Sequence, residues 1–187
     1  MDTNNTRINI FKNATKSLER YSVGAEVGVW KGDFSEEILN LYPKCHIYLI
    51  DPWKSITDIP ERFHSKPQNE MDEIYESVKE RFSKNSNITI LRDFSKSASD
   101  KFIDSYFDWI YLDGNHSYDY VKEDLYLWWE KLSNGGVLIG DDYQEGDYQV
   151  NVLDFGVVKA VNEFIKEKAG DIKEFYTDKD QFIIKKI

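Results

Sequence analysis

The sequence predicts an α/β fold built on a doubly wound, mostly parallel sheet. Three observations lead there. Short apolar runs alternate with stretches of helical periodicity along the 187 residues, the rhythm of strand–helix–strand units. One run, 107–112, is apolar nearly throughout, as expected of a strand covered on both faces. Finally, Asp51, Asp93, Asp113 and the Asp141–Asp142 pair each close an apolar run. In an open α/β sheet those carboxyl ends share one crevice at the topological switch point. Carboxylates gathered there repel one another unless cations compensate them.

Ile8, Phe11, Ala14 and Leu18 recur at helical spacing and place a leading helix over 7–20, within the first 20 residues. Ala25, Val27 and Val29 are small or β-branched and form the first strand. A helix follows over 34–42 with Phe34, Ile38, Leu41 and Tyr42 inward, and Pro43 marks its end. The second strand, 46–50, closes on Asp51-Pro52-Trp53. Residues 54–69 hold two prolines and little periodicity, so they read as a loop. Met71, Ile74, Tyr75, Val78 and Phe82 make an amphipathic helix; 88–91 is the third strand and 96–105 a short helix. After the fourth strand, Val121, Leu125, Trp128, Trp129 and Leu132 line one side of a helix over 118–132. The two adjacent tryptophans are either both core or divided between core and an interface. Gly135-Gly136 precedes a fifth strand over 137–140. A last helix spans 155–168, and two short strands lie near 172–176 and 181–185.

The chain is organised around Val-Gly-Ala-Glu-Val-Gly-Val-Trp-Lys-Gly-Asp-Phe-Ser, residues 23–35. Glu26 interrupts an apolar strand and so requires a partner or a role. Gly28 and Gly32 bracket a tight turn where backbone can approach a ligand. Asp33 then starts a helix, with Glu36 placed to complete a capping-box-like pair. Strand, glycine turn and helix N-terminus together form a cradle of the nucleotide-binding kind. A dinucleotide fingerprint needs a glycine where Trp30 stands, and that bulk leaves no room for a pyrophosphate.

The pattern Glu26-x-Gly28-x-x-x-Gly32 resembles the first motif of class I S-adenosylmethionine-dependent methyltransferases. The stretch Phe-Asp-Trp-Ile-Tyr-Leu-Asp-Gly-Asn-His-Ser-Tyr from 107, Gly-Gly-Val-Leu-Ile-Gly-Asp-Asp-Tyr from 135 and Phe-Gly-Val-Val-Lys-Ala-Val-Asn-Glu-Phe from 155 extend the likeness nearly to the C-terminus. Together they are similar to the branch containing small bacterial and macrocin-type, metal-dependent sugar O-methyltransferases. The resemblance implies a Rossmann-like sheet of order 3-2-1-4-5-7-6 with the seventh strand antiparallel. It implies that Glu26, Gly28, Trp30 and Gly32 wrap the amino-acid end of the cofactor, with Ser35 near its carboxylate. Asp51 then accepts the ribose hydroxyls, and Asp93 or Ser95 holds the adenine. Trp53 either lies flat against the adenine or packs in the core. Asp113, Asp141 and Asp142 stand where metal-dependent members bind a divalent ion; hard carboxylate oxygens suit Mg²⁺ or Ca²⁺. His116, three residues past Asp113, is a candidate general base or a packing residue at a helix start. The expected reaction moves a methyl group to a hydroxyl of a small acceptor, a sugar or similar metabolite, assisted by a divalent ion at those acids, with His116 or a ligand carboxylate such as Asp113 as the catalytic group that takes the proton, and releases S-adenosylhomocysteine. Residues 54–69 and 143–154 flank the mouth, where Tyr143, Gln144 and Tyr148 are placed to contact the acceptor.

The length fits one domain over 1–187. A formal net charge of -10 weighs against a nucleic-acid backbone or an anionic membrane as partner. Cys45 is the only cysteine, which excludes an intramolecular disulfide and a thiolate metal centre. A polar N-terminus and the lack of a spanning stretch point to the cytoplasm, and a homo-oligomer stays open. Two other classes compete: a nicotinamide oxidoreductase on a similar sheet, and a non-catalytic module that keeps the cofactor fold.

Overall fold

Runs of valine, isoleucine and aromatic residues build central strands whose two faces are both buried, while the strands over 88–92 and 172–178 stay partly exposed. The computed structural model describes residues 3–18, 22–56, 66–144 and 156–187. In chain order the elements are α1 (Thr3–Thr15), β1 (Val23–Val27), α2 (Asp33–Leu41), β2 (His46–Asp51), α3 (Gln68–Phe82) and β3 (Ile88–Arg92). Then come α4 (Ser95–Ser99), β4 (Phe107–Leu112), α5 (Tyr118–Lys131), β5 (Leu132–Gly140), α6 (Val157–Glu167), β6 (Ile172–Asp178) and β7 (Gln181–Lys186). The strands pair in the order β3-β2-β1-β4-β5-β7-β6. The first five run parallel, while β7 lies antiparallel to both its neighbours. This is the Rossmann-like class I methyltransferase order that the sequence motifs imply.

The period of two along β4 divides the core. Trp109 and Tyr111 face one side, where Phe11 of α1, Phe34 and Ile38 of α2, and Val78 and Phe82 of α3 cover them. Ile110 and Leu112 face the other, against Val121, Leu125 and Trp128 of α5 and Phe164 of α6. α6 is amphipathic in the plainest way: Val157, Ala160, Val161 and Phe164 recur on one side and all are buried. Trp128 and Trp129 are both buried, so neither offers an interface.

Several boundaries depart from the sequence expectation. No side-chain capping box forms at α2. Gly32, left-handed at φ 77°, is the N-cap, and the Glu36 N–H donates to its carbonyl at 3.1 Å. Asp33 instead pairs with Arg81 across to α3, at 2.7 Å. β5 starts at Leu132, so Gly135 and Gly136 lie inside it rather than ahead of it. α1 ends at Thr15, before Leu18. Among the described residues no helix is long and apolar enough to cross a membrane.

Candidate active site

The parallel strands bring Asp51, Asp93, Asp113 and Asp141 to one edge of the sheet, as their positions after apolar runs predict. The turn after β1 is held there by backbone geometry. Gly28 has φ 92°, and a Cβ on it would lie 1.9 Å from the Asp113 carbonyl oxygen, so only glycine lets the ends of β1 and β4 meet. Asp51 organises the rest of the turn. Its Oδ2 accepts the N–H groups of Val29 (3.1 Å) and Trp30 (3.0 Å), and its Oδ1 accepts that of Trp53 (2.7 Å). Trp30 and Trp53 both have positive φ, a conformation costly for bulky residues that the Asp51 hydrogen bonds sustain.

A cavity of about 510 Å³ runs along this edge, a size suited to a small ligand or cofactor. Glu26, Gly28, Trp30, Asp51, Asp93, Ser95, Asp113 and His116 line it; Gly32, Ser35, Trp53, Asp141 and Asp142 do not. Trp53 is fully buried beside Val29 and Val78, and its indole N–H donates to the Trp30 carbonyl at 2.8 Å. Packed in this way it has no face for an adenine, and its place is the core. Phe94, 43 % exposed, is one of the aromatic residues on the cavity wall, with Trp30, Phe34 and Tyr120. Ser35 is also buried, and its hydroxyl donates to Glu26 Oε2 at 2.5 Å instead of facing a ligand. Tyr143 packs in the core with its hydroxyl donating to Asn162 at 3.0 Å. Tyr148, 57–65 and 145–155 lie outside the described residues.

Burial pushes the Glu26 carboxyl up to about 8, against the Ser35 hydrogen bond and the charge of Arg7, which pull it down. A second buried acid, Asp124 of α5, lines the cavity as well. It accepts the Ser95 hydroxyl at 2.5 Å, and Ser95 accepts the Trp128 indole N–H at 2.8 Å. Burial raises Asp124 to about 7. Its signal in the sequence is an acid at helical spacing within the Val121, Leu125, Trp128 stripe.

The acids after β4 and β5 are held by cations of the chain itself. Arg7 of α1 lies over the rings of Phe34 (4.1 Å) and Tyr111 (4.7 Å). Its Nε donates to the Tyr111 hydroxyl at 2.8 Å, and one terminal nitrogen reaches Asp113 Oδ2 at 2.5 Å. The other is 3.7 Å from Asp141. On the opposite side His116 sets Nε2 3.3 Å from Asp113 Oδ1 and Nδ1 2.8 Å from Asp142 Oδ2. Burial pulls the imidazole pKa down, but the two carboxylates outweigh it and raise it to about 10, so the ring is charged at neutral pH. Asp141 also accepts the Gln181 side-chain N–H at 2.8 Å. Among the described residues no group of three or more His, Cys, Asp or Glu is arranged to hold a metal ion. Both oxygens of Asp113 and of Asp141 and one of Asp142 face a guanidinium, an imidazolium or an amide, so this donor set does not fit the ion.

A methyltransferase-domain family model matches residues 25–143, from the first strand through the acid pair after the fifth. The chain belongs to this methyltransferase family. With its strand order it is a class I S-adenosylmethionine-dependent methyltransferase. No curated protein matches the sequence significantly. Solved structures share the fold. A Staphylococcus aureus protein provisionally named a caffeoyl-CoA O-methyltransferase is 15% identical with TM-score 0.68, over 97% of this chain and 83% of its own. Human N-acetylserotonin methyltransferase, solved with S-adenosylmethionine, is 14% identical with TM-score 0.59, over 99% of this chain and 52% of its own. The mycinamycin-pathway methyltransferase MycE, solved with Mg and S-adenosylhomocysteine, is 12% identical with TM-score 0.61, over 95% of this chain and 48% of its own.

Proposed function

We propose that this methyltransferase transfers the S-adenosylmethionine methyl group to a hydroxyl of a small acceptor, a sugar or similar metabolite. The observation that carries the reading is the place of His116, a titratable side chain on the cavity wall beside Asp113 and the glycine turn. In this reading Asp51 accepts the ribose hydroxyls through its remaining lone pairs. Phe94, Ser95 and Asp124 receive the adenine, and Glu26 faces the ammonium end. The acceptor oxygen attacks the sulfonium methyl carbon in line, the carbon–sulfur bond breaks, and sulfur keeps the electron pair as S-adenosylhomocysteine leaves. The protein's main contribution is alignment of the two reactants.

The hydroxyl proton passes to Nε2 of neutral His116, whose 3.3 Å contact with Asp113 is the longer of its two and gives way to the acceptor, while Nδ1–H keeps its hydrogen bond to Asp142. The ring is an imidazolium in the resting site, and the arriving sulfonium, a second positive charge, lowers its pKa. Transfer therefore accelerates as pH rises above 7 and levels off no higher than about pH 10. A rate that peaks below pH 7 removes His116 as the base. The reading does not involve a bound metal at any step.

The test of the cofactor site is calorimetric titration with S-adenosylhomocysteine, with NAD as control. Wild-type protein binds S-adenosylhomocysteine and not NAD. Asp51→Asn weakens binding by about 10- to 100-fold, the loss expected for one charge-assisted hydrogen-bond pair. No binding to folded wild-type protein overturns the assignment.

A further inference from the structure

The relation of Arg7 to the acids after β4 and β5 has a consequence for the chemistry of the site. We propose that Arg7 is the resident cation of the acid crevice and stands in place of a divalent metal, so that this methyltransferase works without one. The proposal rests on the methyltransferase reading above and adds to it which charge holds the acceptor side together.

Geometry carries it. Arg7 engages Asp113 and Asp141, two of the three carboxylates at the position of a metal, and it does so from a built seat. Phe34 and Tyr111 flank the guanidinium, and the Tyr111 hydroxyl, itself fully buried, accepts from Nε. A guanidinium fixed by two aromatic residues, one of which also accepts its Nε–H, is not a surface lysine passing by; its fork is oriented before any ligand arrives. Phe11, one turn further along α1, is fully buried against Phe34, Trp109 and Tyr111 and fixes the helix that delivers it. A divalent ion bound to Asp113 and Asp141 must displace Arg7 from both and leave its half-buried charge beside the ion. That repulsion opposes binding.

Mn²⁺, a hard cation like Mg²⁺ with a paramagnetic signal, provides the test. It is titrated into wild-type protein, Arg7→Ala, Arg7→Gln and Arg7→Lys, each saturated with S-adenosylhomocysteine, and free Mn²⁺ is read by electron paramagnetic resonance. In wild type and Arg7→Lys an equimolar amount of protein leaves the free-ion signal unchanged. In Arg7→Ala and Arg7→Gln, where the crevice has lost its cation, the signal falls at least twofold, and Asp113→Asn added to either restores it. Arg7→Gln keeps much of the stem between the rings and is read if Arg7→Ala does not fold. Stoichiometric Mn²⁺ binding to wild type overturns the proposal, and so does identical behaviour of wild type and the neutral variants. Absence of S-adenosylhomocysteine binding at the outset is a failure of the cofactor assignment instead, and calorimetry on the same samples separates the two.

Discussion

Glu26 and Asp124 each place a carboxyl in the cavity wall with one serine as partner, Ser35 in the first case and Ser95 in the second. Burial raises both, Glu26 from 4.5 to about 8. The folded chain thus keeps a proton on Glu26 that the unfolded chain releases above pH 4.5. The stability this contributes is complete below that pH and is lost as pH rises toward 8. Glu26→Gln, which stays neutral, should flatten the fall in melting temperature between pH 5 and 8; an unchanged slope in a fluorimetric melt would refute the assignment. The same carboxyl has a second consequence if it faces the ammonium of the cofactor. A nearby cation favours its charged form, so binding S-adenosylhomocysteine at pH 7 should release part of a proton. Calorimetry in two buffers of different ionisation enthalpy measures that number directly, and Glu26→Gln should reduce it to near zero.

At the scale of elements, the glycine turn after β1 is the least replaceable piece. Gly28→Ala combines a left-handed φ with a contact to backbone, and we expect it to cost about 3 kcal/mol or more. Gly135 has a similar φ of 76° but open space around it, so Gly135→Ala should cost only about 1–2 kcal/mol. Urea denaturation of the pair isolates the steric part, and equal losses would show that the Asp113 carbonyl yields. The turn was legible in the sequence because its glycines are local features, as were the strands with their two-residue and the helices with their 3.6-residue periods. The carboxyl-edge acids were legible for the same reason, since each directly follows a strand. Side-chain partners were less so. Trp53 reads equally as a stacking face or as core until Trp30 is seen to accept its N–H. Ser35 looks like a ligand group until Glu26 is found opposite. Arg7 gave no signal at all, because it meets Asp113 across 106 positions of sequence and nothing in its neighbours announces the pairing.

For the molecule as a whole, the gathered acids pose the electrostatic problem that the sequence raises and the fold answers with its own groups. Backbone N–H groups hold Asp51, Lys101 meets Asp93 at 2.7 Å, and Arg7 and His116 serve the others. His116 enters the pH dependence of stability with the same sign as Glu26. Its folded pKa of about 10 exceeds its ordinary 6.5, so its contribution is full below 6.5 and declines as pH climbs toward 10. His116→Gln should therefore remove most of the stability loss between pH 7 and 10, as followed by thermal denaturation.

Arg7 is carried on α1, and that tether sets how the crevice is kept filled. A free ion occupies its site according to its concentration, and a chelator or a shortage empties it. A guanidinium borne on the same chain has an effective concentration fixed by the docking of its helix. Occupancy is then independent of ion supply and depends on the seat of Phe11, so a cavity such as Phe11→Ala should loosen the charge balance of acids that the residue reaches only through Phe34 and Tyr111.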